Sequence, residues 1–305
     1  MRISLFNSNT YIHHTLAILF IIVLTLTSCE KEVHIDLGPT SAGLVVEGQI
    51  EQDRRPSVVL TQTIGFFSNV DFSTIQSNFV HNAVITVSDG TTTIPLIEVA
   101  KDTGNNSKFY IYQPDTSIAT SRNFIGVIGR DYTLSITSAG KTYTATARIP
   151  QPIHIDSLTT MVPPTLPDRF PDAMNVFIHF KDPDTLGNYA RYFTKRNSEP
   201  YYSSGLYSDL IRNGTVLNER IRPGYNTLRP DSSSSGIFFK GDTVTLKWAS
   251  IDKGVYTFWN TFQFAEQAVG NPFATPINSQ SNISNGALGV WSAYGSTIIT
   301  IVIPK

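Results

Sequence analysis

Cysteine is nearly absent from this sequence, since Cys29 is the only one among 305 residues. A disulfide framework needs paired cysteines, and thiolate zinc or iron–sulfur sites need several, so these classes are excluded. Charge is also sparse: charged residues make up 15% of the chain, and the formal net charge is −1 at pH 7. Without a basic stripe, a nucleic-acid partner is not indicated.

The motifs of several common enzyme classes are missing as well. The sequence has no Gly-x-Ser-x-Gly nucleophile elbow, no His-Glu-x-x-His zinc helix and no Gly-x-x-x-x-Gly-Lys phosphate loop. After residue 29 the histidines are His34, His81, His154 and His179, and no two lie at metal-ligand spacing. We therefore predict no cofactor and no catalytic residue.

An export signal is the clearest pattern in the sequence. Residues 16–26 form an apolar run that fits the ~7–15-residue core of a signal peptide and is shorter than the ~18–20 residues of a spanning helix. The run closes on Leu-Thr-Ser-Cys at 26–29, which resembles a bacterial lipobox, where the chain is cut before an acylated cysteine. We predict a lipoprotein signal peptide at 1–28 and lipidation of Cys29, with an uncleaved anchor helix as the alternative.

An acylated Cys29 would anchor the chain to a membrane, because two or more acyl chains hold a protein stably. Residues 29–43 then form a tether, with Glu-Lys-Glu at 30–32 and with Gly38 and Pro39 keeping it extended. A short charged stretch behind the cysteine resembles the signal of some surface lipoproteins. We predict an outer-membrane lipoprotein exposed on the cell surface, with a periplasm-facing anchor as the alternative.

Residues 44–150 carry seven short β runs separated by turn residues. The runs cover residues 44–50, 57–64, 83–87, 94–99, 108–112, 132–136 and 142–147. Asp89-Gly90 and Ala139-Gly140 are hairpin signals, and this number of strands is typical of an immunoglobulin-like β-sandwich. Tyr132, at the start of the sixth run, fits either a tyrosine corner or an ordinary core tyrosine.

Residues 151–305 predict a second β-rich domain, because the prolines at 150 and 152 end the first set of strands. Strands are expected at 153–158, 176–180, 189–194, 237–239, 243–248 and 298–303, with long loops at 197–236. Apolar residues at helical spacing from Val255 to Val269 predict a helix, which Gly270 and Pro272 end. The expected fold class is mainly β, with an N-terminal immunoglobulin-like β-sandwich followed by a second β-rich domain with one amphipathic helix.

Aromatic residues in two loop regions are the candidate ligand contacts. One region is the long connection 65–82, and the other is the polar stretch 271–291. Aromatic faces bind sugars and apolar groups, so a glycan or peptide ligand is predicted, and packing of these rings within the fold is the alternative. The candidate ligand-binding residues are Phe66, Phe67, Phe72, Phe79, Phe273 and Trp291.

Asp182 and Asp184 are the strongest carboxylate pair in the sequence. They flank Pro183 at a predicted strand end, where two carboxylates could bind a metal ion or act on a glycosidic bond. A calcium site needs about six oxygens, and only two are evident locally, so the pair is a weak metal candidate. An ordinary turn, in which the carboxylates bind the backbone, is the alternative.

Several short motifs resemble those of one protein family. They are Glu-Gly at 47–48, Ile-Asp-Ser-Leu at 155–158, Phe-Lys-Asp-Pro at 180–183, Asn-Tyr at 188–189, Asn-Pro-Phe-Ala-Thr-Pro at 271–276 and the tail at 281–291. Together they resemble the Bacteroidota family called domain of unknown function 4249. Where the family pattern often ends the tail with phenylalanine, this chain has Trp291. The resemblance implies a lipoprotein, often encoded beside TonB-dependent outer-membrane receptors, and brings no catalytic residue.

These patterns predict a non-enzymatic outer-membrane lipoprotein that binds a ligand or accompanies the TonB-dependent receptor of an uptake system. Two alternatives stay open. One is a surface hydrolase of glycans or peptides, with Asp182 and Asp184 as its candidate carboxylates. The other is a structural or adhesive surface protein whose sandwich is a spacer. Fold class does not separate the three, because β-sandwiches serve all of them.

Overall fold

Strands dominate the computed structural model, which describes residues 43–64, 72–104, 107–165, 170–224, 236–268 and 278–305. The strands are β1 (Leu44–Glu51), β2 (Ser57–Gln62), β3 (Val84–Ser88), β4 (Thr93–Gly104), β5 (Ser107–Pro114), β6 (Asp131–Ser138), β7 (Lys141–Arg148), β8 (Ser157–Met161), β9 (Ala173–Lys181), β10 (Tyr189–Arg196), β11 (Tyr202–Ser208), β12 (Val216–Ile221), β13 (Phe238–Phe239), β14 (Thr243–Ile251) and β15 (Leu288–Val302). The helices are α1 (Phe72–Ser77), α2 (Ala119–Asn123) and α3 (Lys253–Ala268). The expected mainly-β class is confirmed.

The strands form two sheets. An 11-stranded sheet has the order β11-β10-β14-β15-β1-β2-β5-β4-β3-β6-β7, and a 4-stranded sheet contains β12, β9, β13 and β8. Each run expected between residues 44 and 150 is a strand, β1 to β7. The β6–β7 hairpin turns at Ala139 and Gly140, whose φ angles of 49° and 75° match the type I′ turn favoured in two-residue hairpins.

Tyr132 makes a tyrosine-corner contact at the start of β6. Its side chain is fully buried, and its hydroxyl accepts the N–H of Val127 at 2.8 Å and donates to the carbonyl of Ile125 at 3.3 Å. These two hydrogen bonds hold the segment that precedes β6 against the start of that strand. Of the two interpretations of Tyr132, the tyrosine corner is therefore confirmed.

The C-terminal strand β15 joins the two halves of the chain. Residues 288–294 run parallel to residues 45–51 of β1, and the strand then pairs antiparallel with β14 from Gly295 onward. At Gly295 a Cβ atom would lie 2.1 Å from the carbonyl oxygen of Pro150, so the close approach of that residue requires glycine there. One continuous strand thus borders both the first and the second set of strands.

The strand expected at 298–303 begins much earlier, at Leu288. Glycine and serine are frequent between 288 and 297, and these residues have weak strand preference, so pairing with β1 makes this stretch a strand. Because β15 and β1 share a sheet, Ala42–Lys305 forms one compact unit. The 11-stranded sheet thus contains strands from both sides of residue 150.

The 4-stranded sheet packs on the face of the larger sheet formed by β10 and β14. Val176, Ile178 and Phe180 alternate inward along β9, and they share one core cluster with inward residues of β14 such as Leu246 and Trp248. All five side chains are at most 2% exposed. Burying each one contributes about 1.5–3 kcal/mol, so this interface holds the two sheets together.

The long loops expected at 197–236 contain two strands, which corrects that expectation. β11 pairs with β10 and β12 pairs with β9, and each is an edge of its sheet. Serine and glycine form most of β11, whereas β12 places polar residues between the inward Leu217 and Ile221. Neighbouring strands, rather than local preference, make these segments extended. Residues 225–235 lie outside the described residues.

Helix α3 confirms the expected amphipathic helix. It begins after Asp252, whose Oδ1 accepts the N–H of Val255 at 2.9 Å and so caps the first turn. Val255 and Phe258 are buried in the core, and the guanidinium of Arg191 lies 3.3 Å from the centre of the Trp259 ring. No helix in the described part of the chain combines the length and hydrophobicity needed to cross a membrane.

Replacing Trp291 by alanine should strongly destabilise the fold. Trp291 on β15 is 0% exposed, and a Cβ on Gly48 of β1 would lie 2.7 Å from its ring. We expect Trp291→Ala to lower the free energy of unfolding by about 3–5 kcal/mol in urea denaturation followed by circular dichroism. Phe264→Ala, at a ring 51% exposed, is the control and should cost under about 0.5 kcal/mol. Equal losses in the two variants would contradict the role given to β15.

Candidate functional site

Of the six aromatic residues predicted to bind a ligand, the structure describes the side chains of Phe79 and Trp291. Phe66, Phe67 and Phe273 lie outside the described residues, as does the side chain of Phe72 at the start of α1. Phe79 is 8% exposed and packs against two residues of β5, with ring centres 5.4 and 5.5 Å from those of the rings of residues 109 and 110. In this position Phe79 covers the sheet, as the packing alternative expects.

Trp291 is also a core residue. Its ring has no exposed surface, and its indole N–H donates to the carbonyl of Tyr132 at 2.8 Å. The backbone of Trp291 is held as well, because Asn282 accepts its N–H and donates to its carbonyl, each at 2.9 Å. A side chain enclosed on all sides offers nothing to a ligand, so its role in the described structure is packing.

Asp182 and Asp184 do not form a joint site. Asp182 is fully buried and accepts the Tyr207 hydroxyl at 2.9 Å and the N–H of Gly214 at 3.1 Å. The side chain of Asp184 is 79% exposed and pairs with Lys181 at 3.1 Å. Within the described residues, no three His, Cys, Asp or Glu side chains converge as a metal site would require. Asp182 thus bonds residues distant in sequence, and Asp184 is an exposed ion-pair partner, so these carboxylates do not make the local turn contacts of the alternative either.

Asp209 is a buried carboxylate that the sequence did not single out. It follows β11 and has no exposed surface. Its Oδ2 accepts three hydrogen bonds, from the N–H groups of Gly187 and Asn188, both at 2.8 Å, and from the Asn188 side chain at 3.0 Å. Its Oδ1 has no hydrogen-bond partner among the described residues. In the sequence, the sign of this buried carboxylate is an aspartate directly after a strand. The residues that Asp209 contacts, Gly187 and Asn188, lie far from it along the chain, so the sequence alone does not bring them together.

The buried carboxyl of Asp182 has a shifted pKa. Burial raises this pKa most, and the negative charges of Asp209 and Asp184 add to the rise, whereas hydrogen bonds from Tyr207 and Gly214 oppose it. Burial likewise raises the pKa of Tyr207, and the neighbouring Asp182 raises it further. Tyr207 therefore remains a protonated donor and connects Asp182 to the cleft described next.

A cleft of about 360 Å³ opens between the two sheets beside these residues. Residues of β10, β11 and β14 line one wall, and residues of β9 and β12 line the other. The cleft therefore lies where the edge strands β11 and β12 leave the space between the sheets uncovered. Ligand pockets typically have volumes of about 300–1,000 Å³, so this cleft is large enough for a small ligand.

Aromatic rings form the floor of this cleft. Trp248 stacks on Tyr192, with ring centres 5.4 Å apart and planes 12° from parallel, and Tyr207 and Phe180 lie against it at 5.4 and 5.2 Å. Gly205 leaves room for this stack, because a Cβ there would lie 2.7 Å from the Tyr192 hydroxyl. The indole N–H of Trp248 has no hydrogen-bond partner among the described residues.

The rim of the cleft combines exposed apolar side chains with charge. Leu210 is 62% exposed and Ile211 is 93% exposed in the turn after β11, and both line the cleft. Arg212 and Glu219 form an ion pair at the same rim. Glu219 is the single carboxylate among the lining residues, and Asp182 and Asp184 are not among them. The arrangement suits binding of an apolar or ring-bearing group.

Fold and cleft together define a mainly β protein in which two packed sheets carry a ligand-sized cleft. The chain belongs to the family described as domain of unknown function (DUF4249), whose model matches residues 30–299. The resemblance seen in the sequence motifs is thereby confirmed. A search of curated proteins returns no match for the chain.

The raised pKa of Asp182 predicts a pH effect on stability. Because folding raises this pKa, the contribution of Asp182 is full at acid pH and is lost as pH rises through the folded-state pKa. We expect the free energy of unfolding of the wild type, relative to Asp182→Asn, to fall as pH rises above about 3.9, the ordinary pKa of an aspartate, in urea denaturation. Tyr207→Phe removes a bond that favours the carboxylate and should move the fall to higher pH. A difference that grows with pH would contradict this assignment.

Proposed function

We propose that the protein is a non-enzymatic lipoprotein, anchored to the outer membrane through Cys29, that holds a ligand in the cleft between its two sheets. The observation that carries this proposal is the cleft of about 360 Å³ with its floor of stacked aromatic rings. An apolar side chain of a peptide or the apolar face of a sugar ring fits such a surface. The fitting ligands are therefore the glycans and peptides expected from the sequence.

The rim of the cleft adds support for an apolar or ring-bearing ligand. The exposed Leu210 and Ile211 at the rim add apolar surface that a bound ligand would cover. With Glu219 already paired to Arg212, the lining favours binding over the hydrolase alternative.

The exposed rim residues provide a direct test of the cleft. The neutral fluorescent probe N-phenylnaphthylamine should bind the wild type, and the double variant Leu210→Ser, Ile211→Ser should bind it about fivefold more weakly because it covers less apolar surface. Both side chains are exposed, so the fold should be unaffected. Ile118→Ser, at an apolar residue 43% exposed near α2, is the matched control. If the double variant binds the probe as tightly as the wild type, the cleft is not the ligand site.

The membrane part of the proposal includes a partner, a TonB-dependent outer-membrane receptor, as the family resemblance implies. We expect the native protein to fractionate with outer membranes and to crosslink to one such receptor in solubilised envelopes. The Cys29→Ser variant lacks the acylated thiol and should appear in the soluble fraction without the crosslink. A native protein whose Cys29 carries no acyl chains by mass spectrometry would contradict the anchor, and a native protein purified alone would contradict the receptor.

A further inference from the structure

A second cleft adjoins the first. It has a volume of about 350 Å³, and Arg220 and Ile221 of β12 belong to the linings of both clefts. Its described lining includes Met174 and Phe238 together with Arg222, which directly follows β12. The two clefts therefore meet at β12, and a ligand in the first can extend towards the second.

Positive charge accumulates where the clefts meet. The described residues of the two linings include Arg212, Arg220 and Arg222 and one acid, Glu219, which pairs with Arg212. Neither Arg220 nor Arg222 pairs with a carboxylate in the part of the chain that the structure describes. The contact of Arg220 is a long hydrogen bond of 3.4 Å to Asn175. Two unpaired guanidinium groups beside concave apolar walls concentrate a positive potential.

The geometry of β12 presents both arginines together. Ile221 lies between them and is 3% exposed, so its side chain points into the core and the two arginines start on the outer face of this edge strand. At that edge Arg220 contributes to the linings of both clefts and Arg222 to the lining of the second. Tyr192, in the wall of the first cleft, is close to both. Burial raises the pKa of Tyr192, and the backbone of Arg222 and the charges of Arg222 and Arg220 oppose that rise. The charged and aromatic parts of the clefts are thus adjacent.

We infer that the ligand of these clefts is an anionic amphiphile. Its apolar or ring-bearing part occupies the aromatic cleft, and Arg220 and Arg222 hold its carboxylate or phosphate oxygens. Guanidinium groups suit this task because their planar N–H forks bind oxyanions in pairs of hydrogen bonds. The inference rests on the proposed function and adds to it the charge of the ligand.

Two probes with the same rings and different charge test this inference on the folded chain. N-phenylnaphthylamine is neutral, and anilinonaphthalene sulfonate carries an anionic group on the same ring skeleton. The wild type should bind the sulfonate more tightly. In the Arg220→Gln, Arg222→Gln variant the Kd of the sulfonate should rise about tenfold, while that of the neutral probe changes less than about twofold. The Arg220→Lys, Arg222→Lys variant keeps both positive charges. Its Kd for the sulfonate should therefore lie between those of the wild type and the glutamine variant.

Controls separate this inference from the proposed function. Arg148→Gln removes an exposed arginine from β7, far along the chain, and should leave both affinities unchanged. If wild type and double variant bind both probes equally, the anionic ligand is overturned while the cleft stands. If neither probe binds, the proposed function fails as well. Displacement of the sulfonate by decanoate or by decyl phosphate then identifies the preferred oxyanion, and displacement by decanol alone would also overturn the inference.

Discussion

The pairing of β15 with both β1 and β14 is the interaction on which the rest of the structure depends. Trp291 on this strand fills the core beside Gly48 and donates to the carbonyl of Tyr132, the residue that also makes the tyrosine corner. Strands β1 to β7 therefore obtain part of their core from the C-terminal end of the chain. Such distant pairing can form only after most of the chain is available, which favours slow folding.

The same strand positions the cleft. β14 pairs with β15 and carries Trp248, and β10 and β11 extend the sheet from β14 to its edge. The 4-stranded sheet packs on this part, and the edges β11 and β12 leave the opening between the sheets. The stack of Tyr192 on Trp248 fits because Gly205 of β11 has no side chain. The cleft thus results from sheet edges and one glycine, with rigid strands holding its aromatic floor.

Local patterns in the sequence predict much of this fold. Alternating residues and turn chemistry locate β1 to β7, and helical spacing with an aspartate cap locates α3. Local patterns do not predict three strand segments, namely β11, β12 and the early part of β15. The serine, glycine and polar residues of these segments form strands only because they pair with partners distant in sequence. Buried Asp209 was missed for the same reason, since the residues that it contacts lie in another turn.

The candidate site was less predictable than the fold. Aromatic residues in loops were the natural candidates, yet Phe79 and Trp291 are buried. The rings that line the cleft belong to strands, apart from Tyr256 of α3. Tyr192 and Trp248 look like ordinary inward residues in sequence, and only the meeting of two edge strands makes them part of an opening. Membership of the DUF4249 family adds no activity to this picture.

The most direct test of the account follows the indole N–H signals of the three tryptophans by heteronuclear NMR while N-phenylnaphthylamine is added. Tryptophan-to-phenylalanine variants assign the signals. If the cleft is the ligand site, the Trp248 signal shifts in a saturable way, while the Trp291 signal, whose donor is already bonded in the core, stays in place. A Trp248 signal that does not move, or that moves no more than that of Trp291, would contradict the account.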